Sequence, residues 1–380
     1  MSDNDAGHEV IERLEWSERK EDPTPESRFR AFSRRTALTG TAAGVAALVL
    51  DACGGGDNGK TSNAASSSSG TPASGIFGEN GGFKFTFVNH VTTNPFFVPT
   101  KYGADDACKL LGCSYQWTGS ESSNVNEMVN AFNSAISAKV DGIAVALVDL
   151  KAFNGPIKKA LDAGIPVVGY NADAPNSGRL AYIGQDLFVS GQEMGKRIVD
   201  LVGSGDVALF IATPGSLNIQ PRIDGAIDSI KKSGGGITYH TVATGAAVPK
   251  ELSTIDAYWL GHKNTKGMFA VDAGSTQGVA QVIKKYNLSG KVHGGGYDLL
   301  TPTIELLEAG QIDFTIDQQP YLQGFLPVLE LYMYKASQTL TGLADVNTGL
   351  KFLDKETVKP YVSTKSRYEG SSKTAGVTKS

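Results

Sequence analysis

Five times along this chain an apolar run stops and a side chain able to hold a hydroxyl group follows it. The run at 83–91 leads into Asn94-Pro95-Phe96-Phe97, and the run at 165–170 into Asn171-Ala172-Asp173. The run at 267–272 ends on Asp272, 292–297 leads to Tyr297-Asp298, and 314–316 to Asp317-Gln318-Gln319-Pro320. Amides and carboxylates pair bidentately with vicinal hydroxyls, and aromatic faces cover the C–H surface of a ring. Asn and Asp are also ordinary turn residues after strands, so no single position is informative. Five strand ends with the same chemistry point to one shared site for a polyhydroxyl ligand. His90 closes the first run. It reads either as a ligand donor or base, or as a satisfied polar residue beside the site. The lack of a nearby nucleophile favours the second.

Such residues need a scaffold that brings strand ends together. Ten strands are predicted, at 83–91, 114–118, 142–148, 165–170, 180–184, 207–213, 237–244, 267–272, 292–297 and 314–316. Helical patterns lie between them at 96–111, 125–138, 151–163, 188–202, 219–232, 250–262, 276–286 and 301–309, and a further one follows at 321–340. Several strands are unbroken apolar runs, as parallel strands covered on both faces are. The alternation predicts an α/β architecture with two parallel sheets of five or six strands, each placing its ligand beyond the carboxyl ends.

Composition narrows the function. The 380 residues suffice for two or three domains, and 41% hydrophobic against 19% charged argues against general disorder. A formal charge of −4 argues against a nucleic-acid partner. Five His and three Cys, scattered, leave little for a metal cluster. No nucleophile elbow or phosphate-binding loop is present, and Gly203-Ser204-Gly205 precedes a strand instead of following one. Neither an enzyme nor a cofactor is expected. Gly294-Gly295-Gly296 marks close backbone approach. Cys108 and Cys113 read equally as a disulfide or as two small buried hydrophobes. Trp117 and Trp259 could stack on a ring, although Trp259 in a helical pattern reads as core.

The first 82 residues stand apart. Arg34-Arg35 precedes a short apolar run at 41–50 and Leu50-Asp51-Ala52-Cys53, which makes 1–53 an export signal of the twin-arginine, lipoprotein type with Cys53 as the lipidated residue. Ala37 and Asp51 depart from those patterns and leave a plain signal with an incidental cysteine as the alternative. The run is too short to span a bilayer. Residues 54–82 are a Gly/Ser-rich tether, and 366–380 a disordered tail.

Over 83–361 the chain resembles the type I periplasmic sugar-binding proteins of ABC importers, the ribose/galactose/autoinducer-2 class. The resemblance rests on Asn94-Pro95-Phe96-Phe97, Val140-Asp141-Gly142-Ile143, Gly164-Ile165-Pro166-Val167-Val168, Arg222-Ile223-Asp224-Gly225, Gly296-Tyr297-Asp298 and Ile316-Asp317-Gln318-Gln319-Pro320. It implies two lobes, 83–185 plus 319–350 and 186–318 plus 351–365, joined by crossings near Gln185-Asp186, Gln318-Gln319 and 349–353. It also implies ligand contacts from Asn94, Phe96, Phe97, Asn171, Asp173, Arg222, Asp272, Asp298 and Gln318. Ala172 stands where ribose binders carry an arginine and Asp272 where they carry an asparagine, which favours another small sugar, a polyol or a furanose. Three carboxylates against one arginine disfavour a sugar phosphate. The implied protein is a membrane-anchored monomer that closes on a small neutral sugar or polyol and delivers it to an ABC permease. The rival with a related role is a sugar or autoinducer-2-like receptor for a sensor or chemotaxis partner. A repressor of the same core would need an N-terminal DNA-binding helix-turn-helix, where this chain has its export signal.

Overall fold

The structure is a computed structural model, and it describes residue 77 and residues 81–339, 343–364, 366–370 and 372–373. The export signal with Cys53, and nearly all of the tether, lie outside the described residues. Among the described residues no helix is long and apolar enough to cross a membrane.

Twelve strands follow in chain order: β1 (Lys84–Asn89), β2 (Ser114–Gly119), β3 (Gly142–Val145), β4 (Val167–Tyr170), β5 (Ala181–Gly184), β6 (Gly205–Ile211), β7 (Ile237–Ala243), β8 (Gly267–Ala270), β9 (His293–Tyr297), β10 (Phe314–Asp317), β11 (Val346–Asn347) and β12 (Lys351–Leu353). The helices are α1 (Val98–Leu111), α2 (Val125–Ser137), α3 (Asn154–Asp162), α4 (Leu187–Val202), α5 (Gln220–Lys232), α6 (Val248–Gly261), α7 (Ala273–Lys285), α8 (Thr301–Glu308), α9 (Leu322–Ser337) and α10 (Lys359–Thr364). All ten expected strands form. The two short strands β11 and β12 and the helix α10 were not foreseen, because two- and three-residue strands carry no periodicity to read.

The strands make two six-stranded sheets, ordered β11-β5-β4-β3-β1-β2 and β12-β10-β9-β8-β6-β7. Every pair is parallel except β10 with β12. The chain changes sheet three times: between β5 and β6, after β10 into α9, and between β11 and β12. In each sheet the order reverses at one place, between β1 and β3 in the first and between β6 and β8 in the second. These are the switch points where α/β sheets open a crevice.

The unbroken apolar runs have a direct cause. On β6, Val207, Leu209 and Ile211 pack into one hydrophobic cluster and Ala208 and Phe210 into another, so both faces of the strand are covered. In each lobe two helices meet at glycines. A Cβ on Gly324 of α9 would collide with the carbonyl of Thr100 on α1, and one on Gly191 of α4 with the backbone of Arg222 on α5. The second contact holds the first turn of α5, and with it Arg222, against the sheet.

Part of the expected disordered tail is ordered. Ser366 is buried, Arg367 pairs with Asp106 at 3.1 Å, and the Tyr368 ring meets that of Tyr321 at 4.7 Å. An aromatic and an arginine within an otherwise small, polar segment supply that anchorage. Cys108 and Cys113 are free thiols across the left-handed C-cap of α1, where the Cys113 N–H donates to the Cys108 carbonyl at 3.0 Å.

Candidate functional site

The carboxyl ends of the two sheets face each other across a narrow cavity. From the first sheet, Asn89 at the end of β1 shapes the following loop. Its Oδ1 accepts the Val91 N–H at 2.8 Å, and its Nδ2 donates to the Tyr170 hydroxyl at 2.8 Å. That loop carries His90 and Asn94. Asn94 caps a 3₁₀ turn, Pro95–Phe97, by accepting the Phe96 N–H at 2.9 Å. The turn sets Phe96 and Phe97 edge to face, ring centroids 4.7 Å apart, as one wall of the cavity. Asn171, just past β4, adopts φ 62°, a left-handed conformation that asparagine tolerates well.

From the second sheet come four groups. Arg222 on α5 donates from Nη1 to the Val271 carbonyl at 2.9 Å and from Nη2 to Gln185 Oε1 at 3.1 Å, with its guanidinium 4.0 Å above the Tyr297 ring. Asp272 caps α7 and accepts the Ser275 N–H at 2.9 Å and the Ala212 N–H at 3.0 Å. Asp298, past β9, sits at φ 75° and accepts from Gln318 Nε2 at 2.6 Å. Gln318 closes β10 on the second crossing.

Eight of the nine expected residues therefore line one cavity: Asn94, Phe96, Phe97, Asn171, Arg222, Asp272, Asp298 and Gln318. Asp173 does not. Its carboxylate is taken by Arg179, whose Nη2 donates to it at 2.7 Å and whose Nη1 reaches Asp345 at 2.8 Å, and this cluster lies away from the cavity. Two residues past Asn171 the backbone has turned away from the sheet mouth, and an arginine six positions on offers a bidentate partner.

Glu251, Thr213, Ser216, Asn218 and Ser123 also line the cavity, none of them marked by the sequence patterns, and so does His90, whose Nδ1 is unpaired where the favoured reading expects a satisfied residue beside the site. Thr213 follows β6 and could have been found by the strand-end rule. Glu251 lies in the first turn of α6, where no rule points to a site. The acid count of three thus stands with Glu251 in place of Asp173. Trp117 packs behind Phe97 at 5.7 Å and Trp259 lies in a hydrophobic cluster of the second lobe.

The lobes touch at the rim. His90 Nε2 and Asn218 Nδ2 are 3.1 Å apart, and the Leu217 N–H donates to the Val148 carbonyl at 3.1 Å. Behind the cavity the crossings are tied by amides. Gln185 Nε2 donates to the Gly349 carbonyl at 2.9 Å, and the Thr348 hydroxyl donates to the Gln318 carbonyl at 2.7 Å. Gln323 Nε2 donates to Gln318 Oε1 at 3.1 Å, while its Oε1 accepts from Asn171 Nδ2 at 3.1 Å.

Enclosure sets the charge. Burial pushes the Asp298 carboxyl up to about 7 against the pull of Arg222 and Gln318. Burial also raises Asp272, opposed first by the Ser275 N–H. Glu251 is raised by burial and by the Asp272 carboxylate beside it. Burial lowers His90 to about 4, so its imidazole is neutral. Four fully buried polar atoms in this lining have no partner: His90 Nδ1, Asn171 Oδ1, Arg222 Nε and Glu251 Oε2. A buried polar group left unpaired is costly, so four such atoms on residues lining one cavity suit the donors and acceptors of a ligand.

The sequence matches a family model described as a periplasmic binding protein domain over residues 85–339. It is 53% identical over 306 residues to the xylose/arabinose-binding protein XylF of Sulfolobus acidocaldarius, an alignment covering 76% of this chain and 75% of that protein. An ABC transporter solute-binding protein from Burkholderia graminis, solved in complex with D-arabinose, superimposes with a TM-score of 0.68 at 29% identity, over 72% of this chain and 96% of that one. A carbohydrate transporter from Acidothermus cellulolyticus, solved in complex with myo-inositol, gives 0.67 at 28% identity, over 76% and 99%.

Proposed function

We propose, from the premise that the chain belongs to the periplasmic binding protein domain family, that it captures a small neutral sugar of the xylose and arabinose class and delivers it to an ABC import permease. The observation that carries this reading is the set of four unpartnered buried polar atoms on one cavity, two from each lobe. A neutral imidazole, a carboxyl pushed toward its acid form and a single guanidinium held among carboxyls suit an uncharged, hydroxyl-rich guest. The Phe96 and Phe97 rings suit the C–H face of a sugar ring.

The mechanism is closure of two lobes. A guest that satisfies Asn171 on one side and Arg222 and Asp298 on the other binds the closed arrangement better than an open one, so it shifts the population toward closure. The closed form is what a permease would read. Arg34-Arg35 and Cys53 support export and a lipid anchor on the outer face of the membrane, with multiple acylation needed for stable attachment. Residues 54–82 support a tether between anchor and binding domain.

A thermal-shift and calorimetric screen of the full chain with D-xylose, L-arabinose, D-ribose, myo-inositol and xylose 5-phosphate tests the reading. A pentose at 100 times its dissociation constant should stabilise by about 2.7 kcal/mol, and the phosphate ester should not bind. Binding of the phosphate ester alone, or of no sugar or polyol in the panel, would overturn it.

A further inference from the structure

Glu251 reaches the cavity from a helix and not from a strand end. It is 1% exposed, and its Oε2 is one of the four unpartnered atoms in the lining. The carboxyl lies over the N-terminal turn of α7, where a Cβ on Gly274 would collide with it, so the absence of a side chain at 274 is what admits Glu251 to this position. It also faces the carboxyl of Asp272. Asp272 has its own partners in two backbone N–H groups, from Ser275 and Ala212, and Arg222 lies near. Glu251 has none of these: its carboxyl is hydrogen-bonded to that of Asp272, and its Oε2 has no other partner. Burial raises both acids, and the pair titrates as a unit in which Glu251 lacks the backbone donors that Asp272 has.

A buried carboxyl set against another carboxyl is a poor way to hold a helix in place. An apolar residue of the same length would pack α6 on α7 without the desolvation cost. The arrangement has a use if a ligand meets it. We propose that Glu251 is a further ligand-contacting and specificity-determining residue, whose Oε2 forms a hydrogen bond with a hydroxyl of the bound sugar. The proposal rests on the reading of this cavity as the sugar site. It makes α6 part of the recognition surface. It also makes the Glu251–Asp272 pair a reader of two hydroxyls on one edge of the ring.

The test uses the full chain, with E251L and E251Q, titrated calorimetrically with D-xylose, L-arabinose and the monodeoxy derivatives of whichever pentose binds the wild type. Unliganded melting temperatures are recorded in parallel. E251L is expected to melt at or above the wild-type temperature and to bind the parent sugar at least about tenfold more weakly. E251Q, which keeps a polar head of the same size, is expected within about fivefold of the wild type. The E251L penalty should vanish for the one deoxy sugar that lacks the contacted hydroxyl. Binding within twofold of wild type in E251L would overturn the proposal and leave the sugar site standing. So would a penalty equal across the deoxy series, or a lowered melting temperature in both variants together with lost binding, since either makes the residue structural. If the wild type binds none of these sugars, the reading of the cavity itself fails and the proposal falls with it.

Discussion

Arg222 donates from Nη2 to Oε1 of Gln185 at 3.1 Å, and through this bond a residue of the cavity is tied to the first crossing between the lobes. Gln185 in turn donates to the Gly349 carbonyl on the third crossing, so one side chain spans two of the three connections. On the other flank Asp298 accepts from Gln318 of the second crossing. The groups that would hold a ligand are therefore bonded directly to side chains of the crossings.

Arg222→Ala should lower the affinity for the bound pentose by at least about 30-fold, because it removes the buried cation whose charge acts on Asp298 and takes the donor from Gln185 Oε1. Arg222→Lys should not restore it. One ammonium cannot serve the Val271 carbonyl, the Gln185 amide and a ligand at the fixed angles of a guanidinium. Calorimetry on the two variants checks this, and near-wild-type binding by the lysine variant would show that only charge matters.

Asp298 should cost the unliganded protein stability as pH rises from about 4 to about 7. Asp298 has its folded value raised from 3.8 to about 7, so the native state holds a proton that the unfolded chain has released. Stability falls with pH wherever the native state binds more protons, by at most about 1.4 kcal/mol per unit for one group. Glu251 acts in the same direction. His90, lowered from 6.5 to about 4, acts in the opposite direction up to its ordinary value, so the comparison is between variants: melting temperatures of Asp298→Asn should rise more, or fall less, with pH across this range than those of the wild type. A pH dependence equal in the two proteins would remove Asp298 as a contributor.

Gly324→Ala should destabilise the fold by about 1–3 kcal/mol, since the new methyl collides with the Thr100 carbonyl where α9 crosses α1. Gly324 lies outside the cavity lining, so the folded fraction should bind sugar with unchanged affinity. Urea unfolding with and without ligand separates the two effects.

Asp173→Ala should leave sugar affinity within about twofold while lowering stability by about 1 kcal/mol. The Asp173–Arg179–Asp345 cluster is partly exposed and lies away from the cavity. A large loss of affinity with stability unchanged would restore Asp173 to the ligand site.

Strand runs, their parallel character and the sheet count could be read along the chain, because burial on both faces leaves unbroken apolar segments such as Val207 to Ile211. The end of a strand is also a local property, and so the placing of Asn94, Asn171, Asp272, Asp298 and Gln318 at strand ends can be read from the sequence. Asp173 and Glu251 mark the boundary of that method. Whether an aspartate two residues past a strand turns inward depends on Arg179, six residues on, and on Asp345, which reaches the same guanidinium from beyond α9. Whether a helical glutamate enters the cavity depends on a glycine 23 residues later, at 274. Linear patterns record what each residue prefers relative to its neighbours in the chain. Which distant groups share one enclosed space, and hence which carboxyl is paired, buried or left wanting a partner, follows from the packing of helices on sheets.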